Sequence, residues 1–194
     1  MANSDIPNGF RVVGTLDGSD YHGKQQRVCF LATDATATFL GDAVKITGSG
    51  SADGTSPSVA QCAAGDRLYG YLTGLEPDFT DESSLSSANY RAASTLRYGT
   101  VVIADDAICT IQEDSVGGNL AVTNIGQNIS IIVGSGSTVT GASGMELDSS
   151  TAATTNTLIF RVLGLDETQG NAVGTNARWR ITANLTNLNN IAGV

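Results

Sequence analysis

Histidine is nearly missing from this chain: His22 is the single copy in 194 residues, and it sits in a stretch punctuated by glycine. A Ser-His-Asp or Cys-His arrangement would have to be built around that residue, and such a stretch is a poor mount for a base that must stay within hydrogen-bonding reach of a nucleophile. A histidine-based transition-metal site is excluded on the same ground. The three cysteines, Cys29, Cys62 and Cys109, are widely spaced with no CxxC among them. That rules out a standard disulfide framework or zinc cluster and leaves small buried hydrophobes, in a protein made in a reducing compartment. No apolar run reaches the roughly 18 residues of a membrane-spanning helix. The opening MANSDIPNGF has neither the basic nor the apolar region of a secretory signal.

Cations are scarce too. Lys and Arg number 10 against 19 Asp and Glu, for a net charge of −9. Phosphate binding needs a basic footprint, so nucleic acid is not an expected partner. Aromatic platforms for sugars are thin, with Trp179 and five tyrosines. The carboxylates come as neighbours: Asp81-Glu82, Asp105-Asp106, Glu113-Asp114 and Asp166-Glu167. Adjacent residues of a strand point to opposite faces, so these pairs read as turns and solvated strand ends. The acidic loop near 76–82 lacks the EF-hand spacing of a calcium site. Gly48-Ser49-Gly50 and Gly134-Ser135-Gly136 lack the lysine and the following helix of a phosphate cradle. The residues predict no catalytic group, no metal ligand and no cofactor, and no enzyme.

What the chain has is turns and short β-rich runs. Glycine occurs 23 times, and about nine to eleven strand candidates lie between breakers. They include Arg27–Leu31, Val44–Thr47, Val59–Cys62, Leu68–Leu75, Leu120–Val122, Ile129–Val133, Met145–Asp148, Thr157–Gly164 and Arg178–Leu185. Residues 48–58 and 149–156 read as polar loops. Tyr98–Ala104 and Ala107–Ile111, joined by Asp105-Asp106, read as the central hairpin, its first strand buried on both faces. No segment longer than about ten residues carries the helical period. The fold class is all-β: a β-sandwich, jelly-roll or β-barrel body over residues 27–194, with an extended N-terminal arm over residues 1–26. The arm has too few apolar residues for a core and needs a surface to lie on, its own body or a neighbouring subunit.

The opening MANSDIPNGFRVVGTLDGSDYHG, together with FLGDAVKITGS, VAQCAAGDRLYGYLTGLEPD, YRAASTLRYGTVVIADD, IQEDSVGG and MELDSSTAATTNTLIFRVLGL, resembles the head decoration, or capsid cement, proteins of tailed bacteriophages. Val13 stands where that family's arm pattern has proline. The resemblance implies a non-enzymatic, cofactor-free virion protein, made in the bacterial cytoplasm and bound to the outside of an icosahedral head. Its partners would be the major capsid protein and further copies of itself, as dimer or trimer. In such a role Ile6, Phe10, Val12 and Leu16 would anchor the arm, and Arg11, Lys24 and Arg27 would pair with acidic capsid surface. A tail- or fibre-associated structural protein is the alternative; a long repeat would favour it, and the sequence shows none.

Overall fold

Runs of β-branched and aromatic residues between glycine turns become strands, as the composition demands. The computed structural model describes residues 3–19, 23–77 and 89–188. Among these residues there are thirteen strands, β1 (Arg11–Thr15), β2 (Gln25–Phe30), β3 (Thr38–Phe39), β4 (Ala43–Gly50), β5 (Pro57–Gln61), β6 (Gly70–Leu75), β7 (Tyr90–Arg91), β8 (Arg97–Ile103), β9 (Ala107–Gln112), β10 (Asn128–Gly134), β11 (Gly144–Ala153), β12 (Phe160–Leu165) and β13 (Arg178–Ala183). The chain is all-β, and no helix among the described residues is long and apolar enough to cross a membrane. Three differences from the sequence reading are local. Val122–Asn124 is a 3₁₀ turn rather than a strand, because the Asn124 side chain accepts the Ala121 N–H at 2.8 Å. The 48–58 loop shrinks to a tight turn closed by Ser51 N–H donating to Ser56 O at 2.9 Å. Strand β11 runs through the polar 149–153, held where Thr151 Oγ1 accepts the Ser130 N–H at 3.0 Å.

Strands β2-β5-β4-β6-β8 close a five-stranded barrel, and β1-β9-β13-β12-β10-β11 form a six-stranded sheet. The short pair β3–β7 stands apart. In the barrel β2 meets β5 in parallel and every other pair is antiparallel. In the sheet β11 curls back to β9 through a parallel bridge, Glu113↔Leu147. Five of its strands therefore follow the barrel's order and directions, and the bridge, with Asp114 N–H donating to Leu147 O at 3.0 Å, brings them round into a second, less regular barrel.

The correspondence holds residue by residue. β6 faces β8 through Leu72↔Val101 and, after a bulge, Gly74↔Thr100. β12 faces β13 through Val162↔Ile181 and, after the same bulge, Gly164↔Arg180. Gly41 N–H donates to Leu72 O and Leu72 N–H to Asp42 O; Gly126 donates to Val162 O and Val162 to Gln127 O. Ala43↔Tyr71 and Val44↔Gly70 match Asn128↔Arg161 and Ile129↔Phe160. One strand plan is thus used twice. Its trace in the sequence is Thr38-Phe-Leu-Gly-Asp-Ala-Val-Lys-Ile46 against Thr123-Asn-Ile-Gly-Gln-Asn-Ile-Ser-Ile131.

The equivalent interiors are packed alike. Val28, Phe30, Val44, Val59, Leu72 and Val101 fill the first barrel, and the second core contains Ile111, Ile129, Leu147, Val162 and Ile181. That second core also takes in Ala43, Tyr71, Val102 and Ala104 from the outside of the first barrel. β8 thus separates the two cores, Val101 facing one and Val102 the other, as a strand buried on both faces must. The expected β8–β9 hairpin is corrected. Ala107 N–H donates to Ala104 O at 3.3 Å, so the turn is there. However, both edges of β8 are taken by β2 and β6, and both edges of β9 by β1 and β13. The turn is the crossing between the two barrels.

Candidate functional site

The N-terminal segment lies along the second barrel. Asn3 Nδ2 donates to Ala172 O at 2.8 Å and Thr175 O at 2.9 Å, and Asn3 Oδ1 accepts the Ala172 N–H. Gln112, buried, holds the next turn: its Oε1 accepts the Ile6 N–H, while its Nε2 donates to Asp5 at 2.8 Å and Glu146 at 3.0 Å. Arg178 donates to Asn8 Oδ1 and to Ile6 O. Strand β1 then pairs antiparallel with β9 and forms an edge of the six-stranded sheet. The expected boundary at residue 26 is corrected accordingly. It would cut β2, and β1 is an integral strand of the second sheet.

Each residue proposed for the arm therefore has a definite place. Phe10 is only 4% exposed, with its ring 5.0 Å from Tyr71 and 4.9 Å from Phe160, so it wedges between the two barrels instead of anchoring a neighbour. Val12 is half-buried against the same core. Lys24 pairs with Asp106 at 2.6 Å. Arg27 grips Glu76 with two bonds of 2.6 and 2.8 Å and stacks over Tyr98. These two cations, expected to pair with an acidic capsid surface, are engaged with carboxylates of their own chain, while their side chains stay about half exposed. Arg11 is exposed and makes no ion pair among the described residues. Ile6 at 60% and Leu16 at 52% are exposed, and Val13, which is not among the expected anchors, joins them at 52%. Val13 is the bulged residue of β1, between Val12↔Cys109 and Gly14↔Ile108, so the bulge aims it outward. Its signal in the sequence was its place beside glycine.

The acidic pairs play structural parts. Glu113 is fully buried, with Oε2 accepting the Leu120 N–H at 2.6 Å, and burial pushes its carboxyl up to about 7. Burial, with Asp5 alongside, pushes Glu146 up to about 7 as well. Asp114 accepts the Ser149 N–H and hydroxyl, holding the 114–118 turn to β11. The three cysteines are free and buried. His22 and Asp81-Glu82 lie outside the described residues. Comparison with protein-family models, with curated proteins and with solved structures finds no match to this chain.

Proposed function

We propose that this protein is a structural virion component that binds the outer surface of a tailed-phage head and ties neighbouring major capsid subunits together. The observation that supports this most is the outer edge of β1 and its flanks, unpaired among the described residues, where Ile6, Val13 and Leu16 stand exposed along a segment firmly seated on a double-barrel body. Exposed aliphatic side chains on an unpaired edge strand are a template for association. A body of two close-packed cores joined through the doubly buried β8 is stiff enough to transmit load between the subunits it joins. Many copies on a symmetric shell make individually small contacts add up.

The tail- or fibre-associated alternative has one observation of its own: the strand plan occurs twice, and repeated modules are common currency of elongated structural proteins. Co-sedimentation of the purified chain with undecorated heads of the virus that encodes it, and separately with tails, decides between the two. Saturable binding to heads with raised head stability is expected. Ile6→Ser/Val13→Ser/Leu16→Ser is expected to weaken it by about tenfold or more, while leaving the melting temperature of the free protein close to native, because all three side chains are exposed. Binding to tails alone would transfer the protein to the alternative class.

A further inference from the structure

The cations of this acidic chain are not spread evenly. β1, β9, β13 and β12 lie side by side, and their register puts Arg11 opposite Thr110 and Thr110 opposite Arg180. Directly opposed residues share a face. Arg178 is two residues from Arg180 on β13 and so shares it, as does Thr182, whose cross-strand partner is Arg161. Four of the chain's 10 Lys and Arg thus stand on one outward face of the second barrel. At ordinary strand spacings this patch measures about 14 Å by 14 Å.

The charges on this face are poorly neutralised from within. Arg11, Arg161 and Arg178 make no ion pair among the described residues; Arg161 and Arg178 donate to neutral oxygens of Asn128, Asn184, Asn8 and Ile6. Arg180 meets Glu167 at 3.3 Å, but that carboxylate's side chain is 83% exposed, and the buried Arg180 Nε has no hydrogen-bond partner. Asp166 shares a recess with Arg11 and Arg178, and Asp5 and Glu146 stand at one end of the face, both accepting from Gln112, the residue opposite Arg178.

The duplicated plan shows what such a face can do. In the first barrel the positions equivalent to Asn128, Arg161, Thr182 and Asn184 are Ala43, Tyr71, Val102 and Ala104. There they are buried and form the contact onto the second barrel. The arginine face overlaps that dock at Arg161 and Thr182, equivalent to Tyr71 and Val102, while Arg178 and Arg180 stand where the first barrel has Tyr98 and Thr100, outside the contact. We propose that the arginine face of β1, β13 and β12 is a docking surface for a carboxylate-rich protein surface. It rests on the capsid reading only for the partner's identity, an acidic patch of the capsid. The occupant is protein rather than nucleic acid because four guanidiniums in a compact patch match a local cluster of carboxylates in bidentate fashion, whereas a duplex carries its charge along its whole length and needs a longer basic footprint than this chain presents.

The full chain is titrated with poly-L-glutamate and with a DNA duplex, in low and raised salt, by fluorescence anisotropy. Expected are salt-sensitive binding of poly-glutamate and a roughly tenfold loss in Arg11→Gln/Arg180→Gln, with Arg67→Gln on the first barrel behaving as native. Arg11→Glu is the second variant, since Arg11 has no ion pair in the fold to lose. No binding of poly-glutamate, an equal loss in Arg67→Gln, or tighter binding of DNA overturns the proposal. Heads that bind native and Arg11→Glu chains equally overturn the arginine face and leave the capsid reading standing. Poly-glutamate bound through the arginines, with no binding to heads, does the reverse.

Discussion

Arg91→Ala is expected to lower the unfolding free energy by about 3–5 kcal/mol, the usual consequence of breaking a buried charged network by removing one partner. The side chain is 0% exposed, and its guanidinium satisfies the ends of several segments at once. Nε donates to Thr95 O at 3.0 Å, Nη1 to Thr36 O at 2.5 Å, and Nη2 to Leu31 O at 2.6 Å and Asp34 O at 2.9 Å. Nη1 also lies 3.3 Å from the Asp34 carboxylate. Alanine would remove the guanidinium from four carbonyls and a carboxylate at the β3–β7 end of the first barrel; Leu31 O, Asp34 O and the Asp34 carboxylate would keep one backbone N–H each, while Thr36 O and Thr95 O would lose the side-chain donor that holds them. Arg91→Lys is expected to recover less than half of the loss, because an ammonium has neither the reach nor the planar fork to serve these acceptors together. Urea denaturation of the two variants beside the native protein provides the check. A loss below about 1 kcal/mol for alanine would mean that water replaces the guanidinium, and the network would then count for little.

Glu113→Gln is expected to stabilise the protein at neutral and alkaline pH, by about 2 kcal/mol above pH 8. Glu113 occupies in the second barrel the place that Phe30 holds in the first, as the register of β9 on β13 and β2 on β8 shows. It is a carboxyl where the plan wants a hydrophobe. Burial is the main cause of its rise from 4.5 to about 7, opposed by the Leu120 and Ala177 hydrogen bonds and by the Trp179 indole beside it. A folded-state value above the unfolded one means that the folded chain holds its proton more tightly. The stability this contributes is fully present below about 4.5 and is lost as pH rises to about 7. Glutamine is uncharged throughout and keeps an acceptor for the Leu120 N–H, so the variant should match the native protein at low pH and exceed it above the window. Glu146, raised to about 7 by burial and by Asp5, adds a similar slope that the single variant retains. Urea midpoints followed across the window test this; a native protein whose midpoint is flat from pH 4.5 upward, or a glutamine variant as steep as native, sinks the assignment.

Both residues show how far local sequence goes. Arg91 is polar and adjoins Ala92-Ala93-Ser94, nothing in the sequence marks it as buried, and its acceptors lie on a loop some sixty positions earlier in the chain. Glu113 sits beside Asp114 and reads as half of a solvated pair, yet the curl of β11 back to β9 at Glu113↔Leu147 closes the barrel over it. The internal repeat was legible in principle. Thr-x-aliphatic-Gly occurs at 38–41 and 123–126, and aliphatic-x-Gly-Leu-acid at 72–76 and 162–166, but each match is short and becomes decisive only when the paired bulges align.

The sequence by itself determined the all-β class, most strand positions, the burial of the cysteines and the double burial of β8, because strand propensity, glycine turns and side-chain alternation are local properties of the chain. Partner choice was left to the tertiary structure. Asp105-Asp106 supports a tight turn equally well inside a hairpin or between two barrels, and competition for the edges of β8 and β9 selects the second. The same long-range pairing draws Phe10 into the core between Tyr71 and Phe160, and it brings Arg11 into line with Arg180 across β9. Strand registers are fixed by the face each strand must bury, and that face is defined by segments far away in the chain.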